Sequence, residues 1–259
     1  MLLAIDIGNT NIVLGCIRPE DKKILFIERL STDHDKTALE YTLSFRSVLS
    51  LYGLSADQVT GVIISSVVPP ITSLISEALK KLTGKTAMVV GPGIKTGLNI
   101  QMDDPGQVGA DLITAAVAGT AEYPCPLILI DMGTATTITV IDRNRTYIGG
   151  MILPGLKVSL DSLSSKASKL PRIGLDPPKR LIGRNTIECM KSGILYGNAA
   201  AMDGMIDRIE EELGEKATVV ATGGLSGTII SLCRHEIIHD DELLLKGLLL
   251  IYEKNRPAV

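Results

Sequence analysis

The chain has 259 residues, 45% of them hydrophobic, with 26 Lys and Arg against 29 Asp and Glu and a formal net charge of −3. This is ordinary composition for a globular α/β fold with a sizeable core, and the charge disfavours a nucleic-acid or anionic-membrane partner. Aromatic residues make up only 3%, with no Trp, which leaves few platforms for stacking single-stranded bases. Cys16, Cys125, Cys189 and Cys233 are scattered with no C-x-x-C spacing, the pattern of reduced thiols rather than a disulfide framework. No signal-peptide core precedes Asp6 and no apolar run is long enough to cross a bilayer, so a cytoplasmic protein is expected.

In chain order, Leu3 to Thr10 and Asn11 to Ile17 read as a hairpin: an apolar strand, a tight turn with Asp6, Gly8 and Asn9, and a β-branched strand. Lys23–Leu30 is a third strand. Ala38–Leu51 has helical periodicity, Gly61–Ser66 and Thr86–Val90 are short strands, and Ile71–Leu82 is a helix between them. Leu129 to Thr136 repeats the opening pattern, with Asp131, Gly133 and Thr134 at the turn and Thr137 to Ile141 as the return strand. Strand Arg145–Ile152, helices from about Gly155 and from Thr186 to Leu213, strand Ala217–Ala221 and a C-terminal helix near Leu245 complete the series. A pattern run twice predicts two similar halves, residues 1–119 and 120–259, each a mixed five-stranded sheet flanked by helices and facing the other across a cleft.

The repeated turn is the main chemical signal. Glycine lets a backbone approach a phosphate closely, while exposed amides with the Asn9, Thr10, Thr134 and Thr136 side chains donate to its oxygens. A strand-end carboxylate such as Asp6 suits a Mg²⁺-bound water. A further glycine pair, Gly223-Gly224, follows a strand. Two other matches fail on context. Gly84-Lys85-Thr86 follows a helix and lacks the first glycine of a phosphate loop. His235-Glu236-Ile237-Ile238-His239 reads as a short strand and turn, on which two imidazoles four residues apart do not chelate one zinc ion. Gly109-Ala110-Asp111 precedes an apolar run, and by pattern Asp111 is the N-cap of that helix, although a carboxylate there also suits proton abstraction. Ser65 to Pro70 reads as a strand end turning into a helix.

Read together, Asp6-Ile-Gly-Asn-Thr-Asn11, Ser66-Val-Val-Pro69, Gly91 to Leu98, Val108-Gly-Ala-Asp111, Ile130-Asp-Met-Gly-Thr-Ala-Thr136, Gly149-Gly150, Pro154-Gly155, Leu170-Pro171, Gly183-Arg-Asn-Thr186, Ser192 to Gly197 and Thr222-Gly-Gly224 resemble the type III pantothenate kinases over nearly the whole chain. The resemblance implies duplicated ribonuclease-H-like, actin-like ATPase halves. It also implies an ATP-dependent kinase that phosphorylates the hydroxyl of pantothenate, the first step of coenzyme A biosynthesis. By the same resemblance Asp6, Ile7, Gly8, Asn9, Thr10, Asn11 and Val13 hold the ATP phosphates, with Asp6 reaching Mg²⁺ through water. Thr134 contacts the nucleotide, Gly223 and Gly224 lie along the nucleoside, and Asp131 binds a monovalent cation, K⁺ or NH₄⁺. Gly109, Ala110, Asp111 and Thr186 line the acceptor pocket, Asp111 is the general base, and a homodimer is implied. A helix N-terminus is expected to lower the Asp111 pKa.

Two positions depart from the family pattern. Leu112 follows Asp111 where the family has Arg, and Met102 stands where it has Tyr, both in the implied acceptor pocket. An Arg–carboxylate contact contributes roughly 1.5–3 kcal/mol. The alternatives this departure leaves open are a paralogue acting on a different small alcohol, or a nucleotide-binding regulator with an impaired acceptor site.

Overall fold

In the computed structural model, which describes residues 1–256, the chain separates into two compact units. The first takes residues 1–98, 104–118 and the segment from Leu243. Its elements are β1 (Leu2–Ile7), β2 (Asn11–Arg18), β3 (Lys23–Ser31), α1 (Ala38–Leu51), β4 (Gly61–Ser66), α2 (Pro69–Thr83) and β5 (Met88–Val89). The sheet order is β3-β2-β1-β4-β5, with β1 antiparallel to β2 and parallel to β4. Local chemistry sets the helix limits. Thr37 and Glu40 form a reciprocal capping box before α1, and Pro69 and Pro70 open α2, where their missing N–H groups cost nothing. Gly84, at φ +69°, closes α2 in the left-handed conformation. The Gly-Lys-Thr run there is a helix stop rather than a phosphate loop.

The second unit takes residues 99–103 and 119–242. It contains β6 (Asn99–Ile100), β7 (Leu127–Met132), β8 (Ala135–Ile141), β9 (Thr146–Pro154), α4 (Leu156–Lys166), α5 (Thr186–Leu213), β10 (Thr218–Thr222), α6 (Ser226–Ile230) and β11 (Ile238–His239). Helix α3 (Ala110–Glu122) begins in the first unit's segment, and α7 (Leu243–Asn255) follows β11. The sheet order is β11-β10-β7-β8-β9-β6. Without β6 it repeats the first sheet strand for strand, with the same antiparallel and parallel pairings. The duplicated ribonuclease-H-like halves are therefore present.

Two details differ from the sequence expectation. The second sheet has six strands, because Asn99 and Ile100 pair in parallel with Thr146 and Tyr147 at the edge of β9. The C-terminal helix, placed by sequence with residues 120–259, packs with the first unit. Leu245, Leu248, Leu249 and Ile251 of α7 cluster with Leu2 and Ala4 of β1 and Ile63 of β4. Burying each such aliphatic side chain contributes about 1.5–3 kcal/mol. Gly247 makes the approach possible, since a Cβ there would lie 2.0 Å from the Thr114 carbonyl oxygen of α3. The other face of the first sheet packs Leu3, Ile5 and Ile64 against Tyr41 and Phe45 of α1 and Ile71 and Ile75 of α2. Strand β1 is thus covered on both faces, which explains its unbroken apolar run. Among the described residues no helix is long and apolar enough to cross a membrane.

Candidate active site

In the first unit the turn between β1 and β2 carries Gly8, Asn9 and Thr10. The Gly8 N–H donates to the Asn11 carbonyl (3.0 Å). Thr32, just past β3, holds the turn by two carbonyls: its N–H donates to Thr10 O (3.0 Å) and its hydroxyl to Gly8 O (2.6 Å). Asn9, Thr10 and Asn11 are exposed, while Ile7 is buried and Val13 partly so. Nothing in the sequence marked Thr32, because the residue it serves lies 24 positions earlier.

Asp6, partly buried near the end of β1, is the parallel Cα partner of Ser65 on β4, so the two side chains share a sheet face. Ser65 is fully buried, and its hydroxyl has no hydrogen-bond partner among the described residues. A carboxylate beside an unsatisfied hydroxyl is a hard-oxygen pair that suits a hydrated Mg²⁺. The remainder of the Ser65–Pro70 segment is the expected turn: Ser66 Oγ accepts from Val68 N (3.1 Å) and from the Thr72 hydroxyl (2.6 Å).

The strand ends reach the start of α3 at Val67. Its N–H donates to Ile7 O (3.1 Å), and its Cγ1 is 3.7 Å from where a Cβ on Gly109 would sit. Helix α3 begins earlier than the pattern indicated. The Gly109 carbonyl accepts the first helical bond, from Ile113 N (3.0 Å), so Gly109 holds the capping position and Asp111 lies inside the first turn. The Asp111 carboxylate accepts from Leu112 N (2.8 Å) and folds back to within 2.4 Å of the missing Gly109 Cβ. Any larger residue at position 109 would displace it.

The Asp111 pKa also moves opposite to expectation. Burial raises it, outweighing the Leu112 and Asp111 N–H groups that favour the anion. Desolvation outweighs the favourable dipole at the helix end. The outcome is a stronger base than an ordinary carboxylate. Ala110 and Leu112 flank it, both partly buried.

The second unit assembles its own group. Gly133 N donates to Ala135 O (3.0 Å) in the β7–β8 turn, and Thr134 is exposed. Gly155, before α4, presses on this turn: its N–H donates to Thr134 O (3.1 Å), and a Cβ there would lie 2.3 Å from Thr134 O and 2.5 Å from Gly133 O. Gly223, at φ +95°, leaves the end of β10 against the same turn. A Cβ there would lie 2.7 Å from both Asp131 Oδ1 and Met132 O. Asp131, Gly133, Thr134, Gly155 and Gly223 are therefore brought together, and two convergent oxygens next to Gly223 suit a hard cation. Thr136 is buried on β8. Met102, 38% exposed, has its sulfur 3.9 Å from the Cβ position of Gly149, and Thr186 is the exposed first residue of α5 behind its Asn185 cap.

The two histidines of the H-E-x-x-H run take different partners. His235 Nε2 pairs with Asp207 Oδ1 (2.9 Å), whereas His239 Nε2 contacts Ser226 Oγ (2.8 Å) and Asp241 Oδ1 (2.9 Å). Asp207, Glu210 and His235 bring ligand atoms within 4.8 Å of one another. That cluster is closed by its own ion pairs, because Glu210 already accepts from Lys216 Nζ (2.5 Å) and Ala217 N (3.1 Å).

A sheet built twice with the same strand pairings, each copy carrying an Asp–Gly turn at its strand ends, defines an actin-like ATPase fold. Solved structures agree on the fold. A conserved Baf family protein from Campylobacter jejuni matches with TM-score 0.60 at 19% identity, covering 98% of both chains. The activator of 2-hydroxyisocaproyl-CoA dehydratase from Clostridium difficile matches with TM-score 0.56 at 14% identity, covering 100% of this chain and 98% of that one. Residues 2–208 match the family model of type III pantothenate kinase. The type III pantothenate kinase of Exiguobacterium sp. strain AT1b is 48% identical over 257 residues, covering 99% of this chain and 100% of that one, and that of Brevibacillus brevis is 46% identical over 258 residues with the same coverage. The chain belongs to the type III pantothenate kinase family, ATP-using phosphotransferases whose alcohol acceptor is pantothenate, in coenzyme A biosynthesis.

Proposed function

We propose that this chain phosphorylates pantothenate with Asp111 as the general base. The observation that carries the assignment is the Asp111 carboxylate itself, partly buried, raised in pKa and lodged in the space left by Gly109. Phosphoryl transfer depends mainly on alignment and charge neutralisation, and the hydroxyl proton needs an acceptor only as the bond to phosphorus forms. Asp111 takes that proton. In the first unit Ala110 and Leu112 flank that base on the acceptor side; in the second unit Thr186 and Met102, beside Gly149, are the residues assigned to the acceptor. Leu112 supplies apolar contact where the family pattern supplies an Arg, so the substrate carboxylate is held less tightly.

In the first unit, Asp6 to Asn11 and Val13 hold the phosphates, supported by the Thr32 bonds that fix the turn. ATP with its divalent ion supplies the phosphoryl group and neutralises charge; Asp6 and the Ser65 hydroxyl would hold the waters of that ion. In the second unit, Thr134 contacts the nucleotide, Gly223 and Gly224 flank the nucleoside, and Asp131 with the Met132 carbonyl would hold K⁺ or NH₄⁺. The enzyme acts in the cytoplasm, consistent with four free cysteines.

A homodimer is the assembly that family membership favours, and Ile152, 77% exposed, is the apolar side chain chosen to probe it. Light scattering on the purified protein is expected to give twice the chain mass, and Ile152→Lys to lower it. A monomer at micromolar concentration would refute the dimer. The activity itself is tested by ADP release coupled to pantothenate addition. Turnover that requires pantothenate supports it, and ATP consumption indifferent to pantothenate would overturn it.

A further inference from the structure

His239 belongs to a motif that the catalytic reading does not use, yet its contacts run into the nucleotide side of the second unit. Strand β11 adds in parallel to β10, pairing His239 with Ala221, and Asp240 N donates to Ala221 O (2.9 Å). The imidazole is thereby fixed two residues from Gly223. The ring lies against Gly227, where a Cβ would meet His239 Cε1 at 3.5 Å, an ordinary contact.

The proton count sets the direction of each bond. Ser226 is fully buried and has one hydroxyl proton, which it donates to Gly223 O (2.6 Å). Toward His239 the same oxygen can only accept, so His239 Nε2 carries the hydrogen and donates across the 2.8 Å contact. Asp241 Oδ1, 2.9 Å from the same nitrogen, also requires a donor there. The tautomer is thus fixed by its neighbours. Gly223 receives the Ser226 hydroxyl and the Ser226 N–H (3.2 Å) on its carbonyl, while its α-carbon presses on Asp131 and Met132. A continuous chain runs from His239 through Ser226 to Gly223 and on to the second turn.

We propose that His239 is a positioning residue for ATP: it orients the Ser226 hydroxyl, which holds Gly223 in its left-handed conformation against Asp131. The proposal rests on the reading of Gly223 and Gly224 as nucleotide contacts. Both neutral and protonated imidazole carry the Nε2 hydrogen, so the device acts by geometry and not by charge. Gln presents an amide nitrogen at a similar reach and keeps the donor, whereas Leu keeps bulk and removes it.

The test measures KM for ATP, KM for pantothenate and kcat in His239→Leu, His239→Gln and Ser226→Ala, with calorimetric titration of a non-hydrolysable ATP analogue. His239→Leu is expected to raise KM for ATP and the analogue Kd about three- to tenfold, the range of one hydrogen bond. KM for pantothenate is expected to stay unchanged, and Gln to restore most of the loss. His239→Leu combined with Ser226→Ala is expected to cost no more than the worse single change, because both cut one chain. Equal analogue affinity in wild type and His239→Leu would overturn the proposal, as would additive single effects or no rescue by Gln. Wild type that binds no analogue would instead overturn the nucleotide reading, and the proposal with it.

Discussion

Gly155→Ala isolates the packing of the second turn from every other effect. Gly155 has φ −66° and ψ 161°, a conformation any residue adopts, so alanine brings no backbone strain. Its Cβ, however, would lie 2.3 Å from Thr134 O and 2.5 Å from Gly133 O, whereas ordinary contact begins near 3.4 Å. Both obstacles are backbone atoms, so the turn must move by about 1 Å, and such displacements near reacting groups cost on the order of 100-fold in rate. Overpacking of this kind destabilises by about 1–3 kcal/mol, which for a chain this long lowers Tm by roughly 2–4 °C per kcal/mol. Gly53→Ala is the control: nothing lies within 4 Å of its Cβ, but its φ is +65°. Strain there costs about 1–2 kcal/mol with kinetics intact. Steady-state kinetics and thermal melts on both variants decide the matter. Gly155→Ala with wild-type kcat/KM for ATP would refute the reasoning that Thr134 must sit where this packing holds it.

Two further outcomes follow from Asp111 and its neighbour. The base form of Asp111 is required and burial raises its pKa, so kcat/KM for pantothenate is expected to rise with pH along an acid limb lying above the ordinary carboxylate range, and a limb at or below that range would contradict the burial argument. The same shift has a stability consequence. The folded state holds this proton more tightly than the unfolded chain, so stability is lost as pH rises from the ordinary carboxylate value through the raised one; Asp111→Asn should melt higher than wild type at neutral pH, and a lower melt would count against it. Leu112→Arg is expected to lower KM for pantothenate by about one to two powers of ten, the worth of a charge-assisted contact, and an unchanged KM would place Leu112 outside the acceptor pocket.

The duplicated fold was legible because its signal is local. The strand periodicity of β1, β2, β7 and β8 and the two Asp–Gly turns repeat in the same order, and α5 runs from Thr186 to Leu213 as its periodicity indicates, the structure adding an Asn185 cap and a Gly214 stop. What escaped depends on contacts remote in sequence. Helix α7 is apolar on one face whichever sheet it covers, and only Gly247 against Thr114 and the leucines over β1 assign it to the first unit. Strand β6 is two residues long and carries no period. Thr32 acts through a turn 24 positions earlier and nothing beside it in sequence marks it, while Gly155 and Ser65 lie in segments the sequence singled out but whose contacts with the second turn and with Asp6 it did not reveal. The position of Asp111 before an apolar run marks it in the sequence, but the direction of its pKa does not, because burial is a property of the fold.

ADP release with pantothenate as the only acceptor, compared between wild type and Asp111→Asn, tests the central claim most directly. The account predicts pantothenate-dependent turnover in wild type and a loss of roughly 10²–10⁴-fold in kcat for Asp111→Asn, with the affinity for a non-hydrolysable ATP analogue retained. Turnover in Asp111→Asn within a few-fold of wild type would contradict it.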